Sequence, residues 1–154
     1  MAYFTFFDTV SYIYSYAGDS QQVFEANCQA AAQILETYHQ LFDIYHEYSG
    51  VTNLATVNRN AGGDALEVSP ALIEFLLYAR QMYDTTGGEM NVMMGSVLRL
   101  WHDCREAASQ EPENARIPTQ AALEQAAAHT DLDSLEIDPE RCTVRISDPL
   151  ASLD

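Results

Sequence analysis

Strand-forming sequence lies at the two ends of this chain, and what lies between reads as helix or loop. Residues 4–16 alternate, with Val10, Tyr12, Tyr14 and Tyr16 on one side and Thr9, Ser11, Ile13 and Ser15 on the other. That period of two, in β-favouring residues, predicts one strand. At the far end, Leu135-Glu136-Ile137 and Thr143-Val144-Arg145-Ile146 flank Asp138-Pro139-Glu140-Arg141 and predict a hairpin. One strand, a run of helices and a hairpin is an α+β pattern, not alternating βαβ. It predicts helices packed on an antiparallel sheet that is incomplete in this chain, since one strand and a hairpin make a poor sheet.

The middle carries helix punctuation. Gly18-Asp19-Ser20 reads as a turn and an N-cap. Phe24, Cys28, Ala31, Leu35, Tyr38, Phe42 and Tyr45 recur at alternating four- and three-residue spacing, widened by Ile34 and Leu41, and predict one helix to about Tyr48, ended by Gly50. Residues 50–68 hold Asn53, Asn58, Asn60, Gly62 and Gly63 and predict an irregular surface segment, of the length that tends to carry function. Ser69-Pro70 places a cap beside a proline at the first helical position, Leu72, Leu76, Ala79 and Tyr83 form an inner face, and Gly87-Gly88 stops that helix near Thr85. Another helix is expected from about Asn91, a loop over 106–117, and a helix from the Thr119 cap to about His129.

Charge narrows the function. The chain has 154 residues, Lys+Arg 7 against Asp+Glu 23, and a formal net charge of −16. All the cations are arginines, so P-loop, Schiff-base and general-base lysines are excluded for this segment. No basic face can be assembled for phosphate-backbone contacts, which argues against nucleic acid, and the same charge argues against anionic lipid. Apolar stretches such as Ala71 to Ala79 are too short to span a bilayer. The start, Met1-Ala2-Tyr3-Phe4, has no basic n-region and no nearby lipid-attachable cysteine, which predicts either a cytoplasmic chain or one whose export signal is absent. Cys28, Cys104 and Cys142 form no CxxC pair and read as free thiols.

Local chemistry gives modest candidates. His39 and His46 share a helix face but stand seven apart, wider than a helical metal pair, which favours solvated or half-buried roles. His102-Asp103-Cys104 offers a base and a nucleophile, yet adjacent helical residues diverge. His129 fits a helix C-terminus. Asp131-Leu132-Asp133 lacks the glycine and glutamate of a calcium loop. The tyrosine row reads as a packed or partly covered sheet face. Two places stand out: Thr86-Gly87-Gly88-Glu89-Met90-Asn91, where glycines allow close backbone approach and a helix N-terminus can meet an anion, and Tyr45 to Asn58, where aromatics meet an asparagine-rich loop.

Taken in order, these segments resemble the ApbE family of FAD:protein FMN transferases, formerly called thiamine biosynthesis lipoproteins. Phe7-Asp8-Thr9 stands where the family has Met-Gly-Thr; Asn53-Leu54-x-x-Val57-Asn58 resembles E-L-S-x-L-N; Val68-Ser69-Pro70-x-Leu72 resembles V-S-P-E-L. Thr86 to Trp101 resembles T-G-G-A-F-D-x-T-x-G-P-L-x-x-L-W, and Ile117-Pro118 and Val144-Arg145 through Leu153-Asp154 continue in family order. The resemblance implies that residues 1–154 are the N-terminal portion of a single flavin transferase domain. Asp154 stands for the aspartate of L-D-L-G-G-I-A-K-G-Y, with the glycine-rich and lysine part and most of the metal site beyond it.

The resemblance implies magnesium-dependent transfer of FMN from FAD to a Ser or Thr of an acceptor flavoprotein, with FAD as substrate and Mg2+ bound mostly by residues not in this chain. Position by position, Phe7 stands for the strand methionine at the flavin, Tyr48 for the aromatic of the FAD pocket, Glu89, Met90 and Asn91 for Ala-Phe-Asp, and Asp154 for the nucleotide-contacting aspartate. No catalytic or metal residue is assigned. Glu89 brings a charge where the family has alanine, and Asn91 removes one. The alternatives are a non-catalytic flavin-binding or interaction fragment and a relative that hydrolyses FAD. By itself the chain is expected to be an incomplete enzyme.

Overall fold

The computed structural model describes residues 1–16, 18 and 20–154. The architecture is α+β, as expected, but the antiparallel strands form two separate small sheets. The predicted strand over 4–16 is a hairpin: β1 (Ala2–Phe6) pairs with β2 (Thr9–Ile13), with Phe6 opposite Thr9. Phe7 and Asp8 turn the chain with φ of 54° and 53°. Left-handed geometry at both turn residues matches the twist of a two-stranded ribbon, and the Asn-Gly or Asp-Gly that usually announces it is missing here. The alternation from Thr9 to Tyr16 begins after this turn, and Tyr14 to Tyr16 lie beyond the end of β2.

Helix α1 (Gln21–Phe42) starts where Ser20 accepts a hydrogen bond from the Val23 amide. Asp19, part of the predicted turn, lies outside the described residues. The helix stops at Phe42 instead of continuing to Tyr48. Asp43 ends it: its Oδ1 accepts the amides of Tyr45 and His46 at 2.7 and 3.1 Å. A short polar side chain that binds its own downstream backbone competes with helix continuation. Gly50, at φ 78°, turns the chain within a small loop bridged from Tyr48 to Val51.

Residues 50–68 are not irregular surface. They contain α2 (Leu54–Arg59) and β3 (Leu66–Glu67). Asn53 caps α2 through its Oδ1, and Leu54, Ala55 and Val57 are buried. Helix α3 (Pro70–Thr86) follows its local signals: Ser69 caps it, Leu72, Ile73, Leu76 and Ala79 are buried, and Gly87 ends it at φ 64°. A short 3-10 turn at Val92–Met94 then leads into α4, which begins at Gly95, later than the predicted Asn91. It continues to Gln110 and so takes up residues 106–110, part of the predicted loop. Helix α5 covers Gln120–Ala127 from the Thr119 cap. The C-terminal hairpin, β4 (Leu135–Asp138) and β5 (Thr143–Ile146), pairs Leu135 with Ile146 and Asp138 with Thr143. β3 joins the other side of β5, giving the order β3-β5-β4.

The core lies between this sheet and α2 and α3. Leu72, Leu76, Met93, Leu135, Val144, Ile146 and Leu153 are at most 2% exposed. Burying such a side chain stabilises by about 2 kcal/mol. The N-terminal hairpin sits outside that core and rests on α1. The tyrosine row is an open face, not a covered one: Tyr12, Tyr14 and Tyr16 are 55–88% exposed.

Candidate functional site

The turn between β1 and β2 meets the end of α1. The Phe7 amide donates to Nδ1 of His39 at 3.3 Å, and the Phe7 ring stands edge-on to the imidazole at 5.5 Å. Tyr48 also approaches His39, with centroids 6.5 Å apart. His39 is thus half-buried among aromatics. Phe7, expected at the flavin, and Tyr48, expected in the FAD pocket, both contact it.

Tyr48 is strongly committed. Its hydroxyl donates to Asp43 Oδ2 at 2.7 Å. Nδ1 of His46 lies 3.0 Å from the same oxygen. Burial alone would push the Asp43 carboxyl up, but hydrogen bonds from Tyr48, the Tyr45 and His46 amides and the His46 ring outweigh it and lower it to about 2. Asn53, fully buried, completes this corner: Nδ2 donates to the carbonyls of Gln40 and His46, and Oδ1 accepts from the Thr56 amide and hydroxyl. The asparagine-rich loop is therefore a scaffold that fixes the exit from α1.

That exit leaves Tyr45, not Tyr48, half-exposed beside the last residues of the chain. The Tyr45 ring lies 5.2 Å from His102 on α4, tilted by 32°. Partial burial raises the Tyr45 hydroxyl above the ordinary tyrosine range; the charges of Asp154, Asp8 and Asp43 push the same way and Arg105 opposes them. The turn at Asp8, the end of α1, α4 and Asp154 therefore converge on one corner.

Asp154 is held there by its backbone. Its amide donates to the Val92 carbonyl at 2.9 Å. Leu153 exchanges two hydrogen bonds with the Asn58 side chain, at 2.7 and 3.0 Å. The Gly95 amide donates to the Ser152 carbonyl at 3.1 Å. A Cβ at Gly95 would stand 2.6 Å from that carbonyl oxygen, so glycine is needed for the approach. Asp154 is exposed, yet partial desolvation raises its carboxyl above the usual carboxylate range, an effect His102 partly offsets.

Asn91 joins this corner through the adjacent Val92, but its own side chain is engaged elsewhere: Oδ1 accepts from the Met93 amide and Nδ2 donates to the Thr130 carbonyl. It caps the 3-10 turn as an aspartate also could, while the donation to Thr130 requires the amide. Glu89 and Met90 are exposed on the turn after Gly88, and the Met90 amide is tied to the Thr86 hydroxyl at 3.0 Å.

Spacing gave no sign of Tyr45, His102 and Arg105 as a group, although each lay near a flagged segment. His102 turns toward Tyr45, Arg105 and Glu106, not into a pair with Cys104. His129 does more than cap a helix: its Nδ1 meets Asp148 Oδ2 at 2.7 Å. Among the described residues no group of three His, Cys, Asp or Glu side chains is placed to hold a metal ion. Two open clefts, of about 520 and 640 Å³, lie elsewhere, one between Met1 and Cys28 and one between Thr37 and Pro70.

Residues 7–154 match the model of the ApbE family. No curated protein matches the chain. Among solved structures it is similar to the flavin transferase ApbE from Vibrio cholerae, crystallised as a mutant, with a TM-score of 0.72 and 19% identity over 99% of this chain and 49% of that one. It is similar to the ApbE protein from Thermotoga maritima, with a TM-score of 0.69 and 20% identity over 88% of this chain and 41% of that one. It is also similar to the apo form of the flavinyl transferase ApbE from Pseudomonas stutzeri, with a TM-score of 0.64 and 17% identity over 91% of this chain and 40% of that one. The chain spans less than half the length of each of these structures.

Proposed function

Because this chain belongs to the ApbE family, we propose that its 154 residues form the N-terminal, dinucleotide-holding portion of a single FAD:protein FMN transferase domain. The observation that carries this reading is convergence: Phe7 and Tyr48 meet at His39, while Asp154 and the Asn91-Val92 segment meet a short way off, with Tyr45 under the charges of both Asp8 and Asp154. Residues remote in sequence are thus brought together at these two places.

In the proposed reaction an acceptor Ser or Thr hydroxyl attacks the flavin-side phosphorus of FAD. A new O–P bond forms, the bridging P–O bond breaks, AMP leaves with that oxygen, and the hydroxyl proton is lost. Such chemistry depends on positioning and on neutralising phosphate oxygens. The role of this chain is positioning. Phe7 and Tyr48 border the flavin, and Glu89, Met90, Asn91 and Asp154 border the nucleotide. Asn91, whose side chain is bound to backbone, contributes by shaping the turn. The transfer is proposed to be magnesium-dependent, with the metal's ligands outside the described residues. No described helix is long and apolar enough to cross a membrane.

The fate of FAD tests this reading. Incubation with FAD, Mg2+ and an acceptor flavoprotein, followed by chromatography and mass analysis, separates the outcomes. FAD retained by the protein supports the reading, and FMN found on the acceptor would support the transferase chemistry while refuting the expectation that this chain by itself is incomplete. Free FMN with AMP points to the hydrolytic alternative. FAD that is neither retained nor altered sinks it.

A further inference from the structure

The N-terminal hairpin has two faces of different character. Opposed residues of an antiparallel pair share a face, so Tyr3 opposite Tyr12 and Thr5 opposite Val10 stand together on one side. Ala2 opposite Ile13 and Phe4 opposite Ser11 stand on the reverse. The reverse face is half-buried and meets α1, where the Phe6 ring lies 5.8 Å from His39. The other face is open. Tyr3, Tyr12, Tyr14 and Tyr16 are 55–88% exposed, and Val10 is exposed beside them. The Tyr12 ring centroid lies 6.4 Å from that of Tyr3 and 6.3 Å from that of Tyr14, so these rings form one patch. A two-stranded ribbon is marginal by itself, and a helix on one face leaves the other to be covered.

Area and charge narrow what can cover it. At about 200 Å² for a whole tyrosine side chain, four tyrosines exposed to this degree leave about 500 Å² open. Two such faces brought together lose about 1,000 Å², the size at which a specific interface begins, and Val10 adds to it. Of the chain's 7 Lys+Arg and 23 Asp+Glu, only Asp8 falls among residues 1–16, and it sits in the turn at the end of the ribbon. A face without charge offers no potential by which an acidic or a basic partner is chosen. Its chemistry matches itself instead. A phenol hydroxyl both donates and accepts, and aromatic rings pair edge to face. A row of one residue type also suits a two-fold contact, in which the same patch serves both sides.

We propose that the open tyrosine face of β1 and β2 is an interface between two copies of this chain, packed face to face with an α1 on the outside of each ribbon. Sheets packed in this way stand about 10 Å apart and interdigitate their side chains. Each copy carries −16, so the remaining surfaces repel, and the pair tightens as salt screens that repulsion. The inference goes beyond the flavin-transferase reading and does not draw on it.

Sedimentation equilibrium of the full chain, at low and at high ionic strength, tests it. A monomer–dimer equilibrium is expected, with the dimer tighter at high salt. Tyr12→Glu and Tyr14→Glu each set like charges within the contact and should weaken the dimer by about tenfold or more. Both side chains are exposed, and Tyr14 lies beyond the end of β2, so the variants should keep the wild-type circular dichroism. Tyr78→Glu, at an exposed tyrosine of α3, adds the same charge elsewhere and should leave the dimer unchanged. A chain that stays monomeric at every concentration and salt overturns the inference and leaves the face to a different protein segment. A dimer that Tyr12→Glu and Tyr14→Glu do not weaken, that Tyr78→Glu weakens as much, or that loosens as salt is added overturns it as well.

Discussion

Asp43→Asn isolates the charge that fixes the exit from α1. The Asp43 side chain is 5% exposed and accepts from Tyr48, two backbone amides and the His46 ring. An ordinary aspartate titrates at 3.8; here, with burial opposing and the hydrogen bonds prevailing, the value is lowered to about 2. That gap corresponds to about 2 kcal/mol of folding stability. A depressed carboxylate stabilises the fold fully above its unfolded value, and the contribution is lost as pH falls toward the folded one. Asparagine keeps the shape and an acceptor oxygen for the backbone amides but removes the charge. Urea denaturation of both proteins at pH 7, 5 and 3 should therefore show the variant less stable by about 2 kcal/mol at the two higher values and by about half that at pH 3. Comparing the two proteins at each pH cancels most of the repulsion among the other carboxylates. A difference that stays constant from pH 7 to pH 3, or no difference at all, would refute the assignment of Asp43 as a charged, hydrogen-bonded hub.

Two further substitutions probe the scaffold. Asn53→Ala strands the Gln40 and His46 carbonyls and uncaps α2, and should cost about 3 kcal/mol in the same denaturation experiment, from the loss of several buried hydrogen bonds; a loss under 1 kcal/mol would show the corner to be adaptable. Gly95→Ala should force the Ser152 carbonyl away and move Asp154, seen as large amide shifts at residues 151–154 with small ones in β4 and β5; unchanged amides at Ser152 and Asp154 would contradict the close approach.

How much of this was legible in the sequence follows from how local each signal is. α3 was read nearly to the residue because Ser69, Pro70 and Gly87 act within one turn of chain. The end of α1 was misplaced because the apolar spacing continues through Tyr45, whereas the side chain that stops the helix is a single aspartate. β3 could not be seen at all: two residues become a strand only because Val144 and Thr143 pair with them. The hairpin turn was hidden by a phenylalanine in the left-handed region, where bulky residues are uncommon. For the site, the resemblance supplied Phe7, Tyr48 and Asp154, and the fold brings Phe7 and Tyr48 each to His39. It could not say which of Tyr45 and Tyr48 faces Asp154, because that depends on how Asp43 bends the chain.

The most direct measurement is a fluorescence titration of FAD with the wild-type chain and with Phe7→Ala and Asp154→Ala. These two residues are 147 positions apart. If they border one dinucleotide, FAD binds the wild type and each change weakens it, with riboflavin affinity following Phe7 and AMP affinity following Asp154. FAD affinity that neither substitution alters would contradict a shared site.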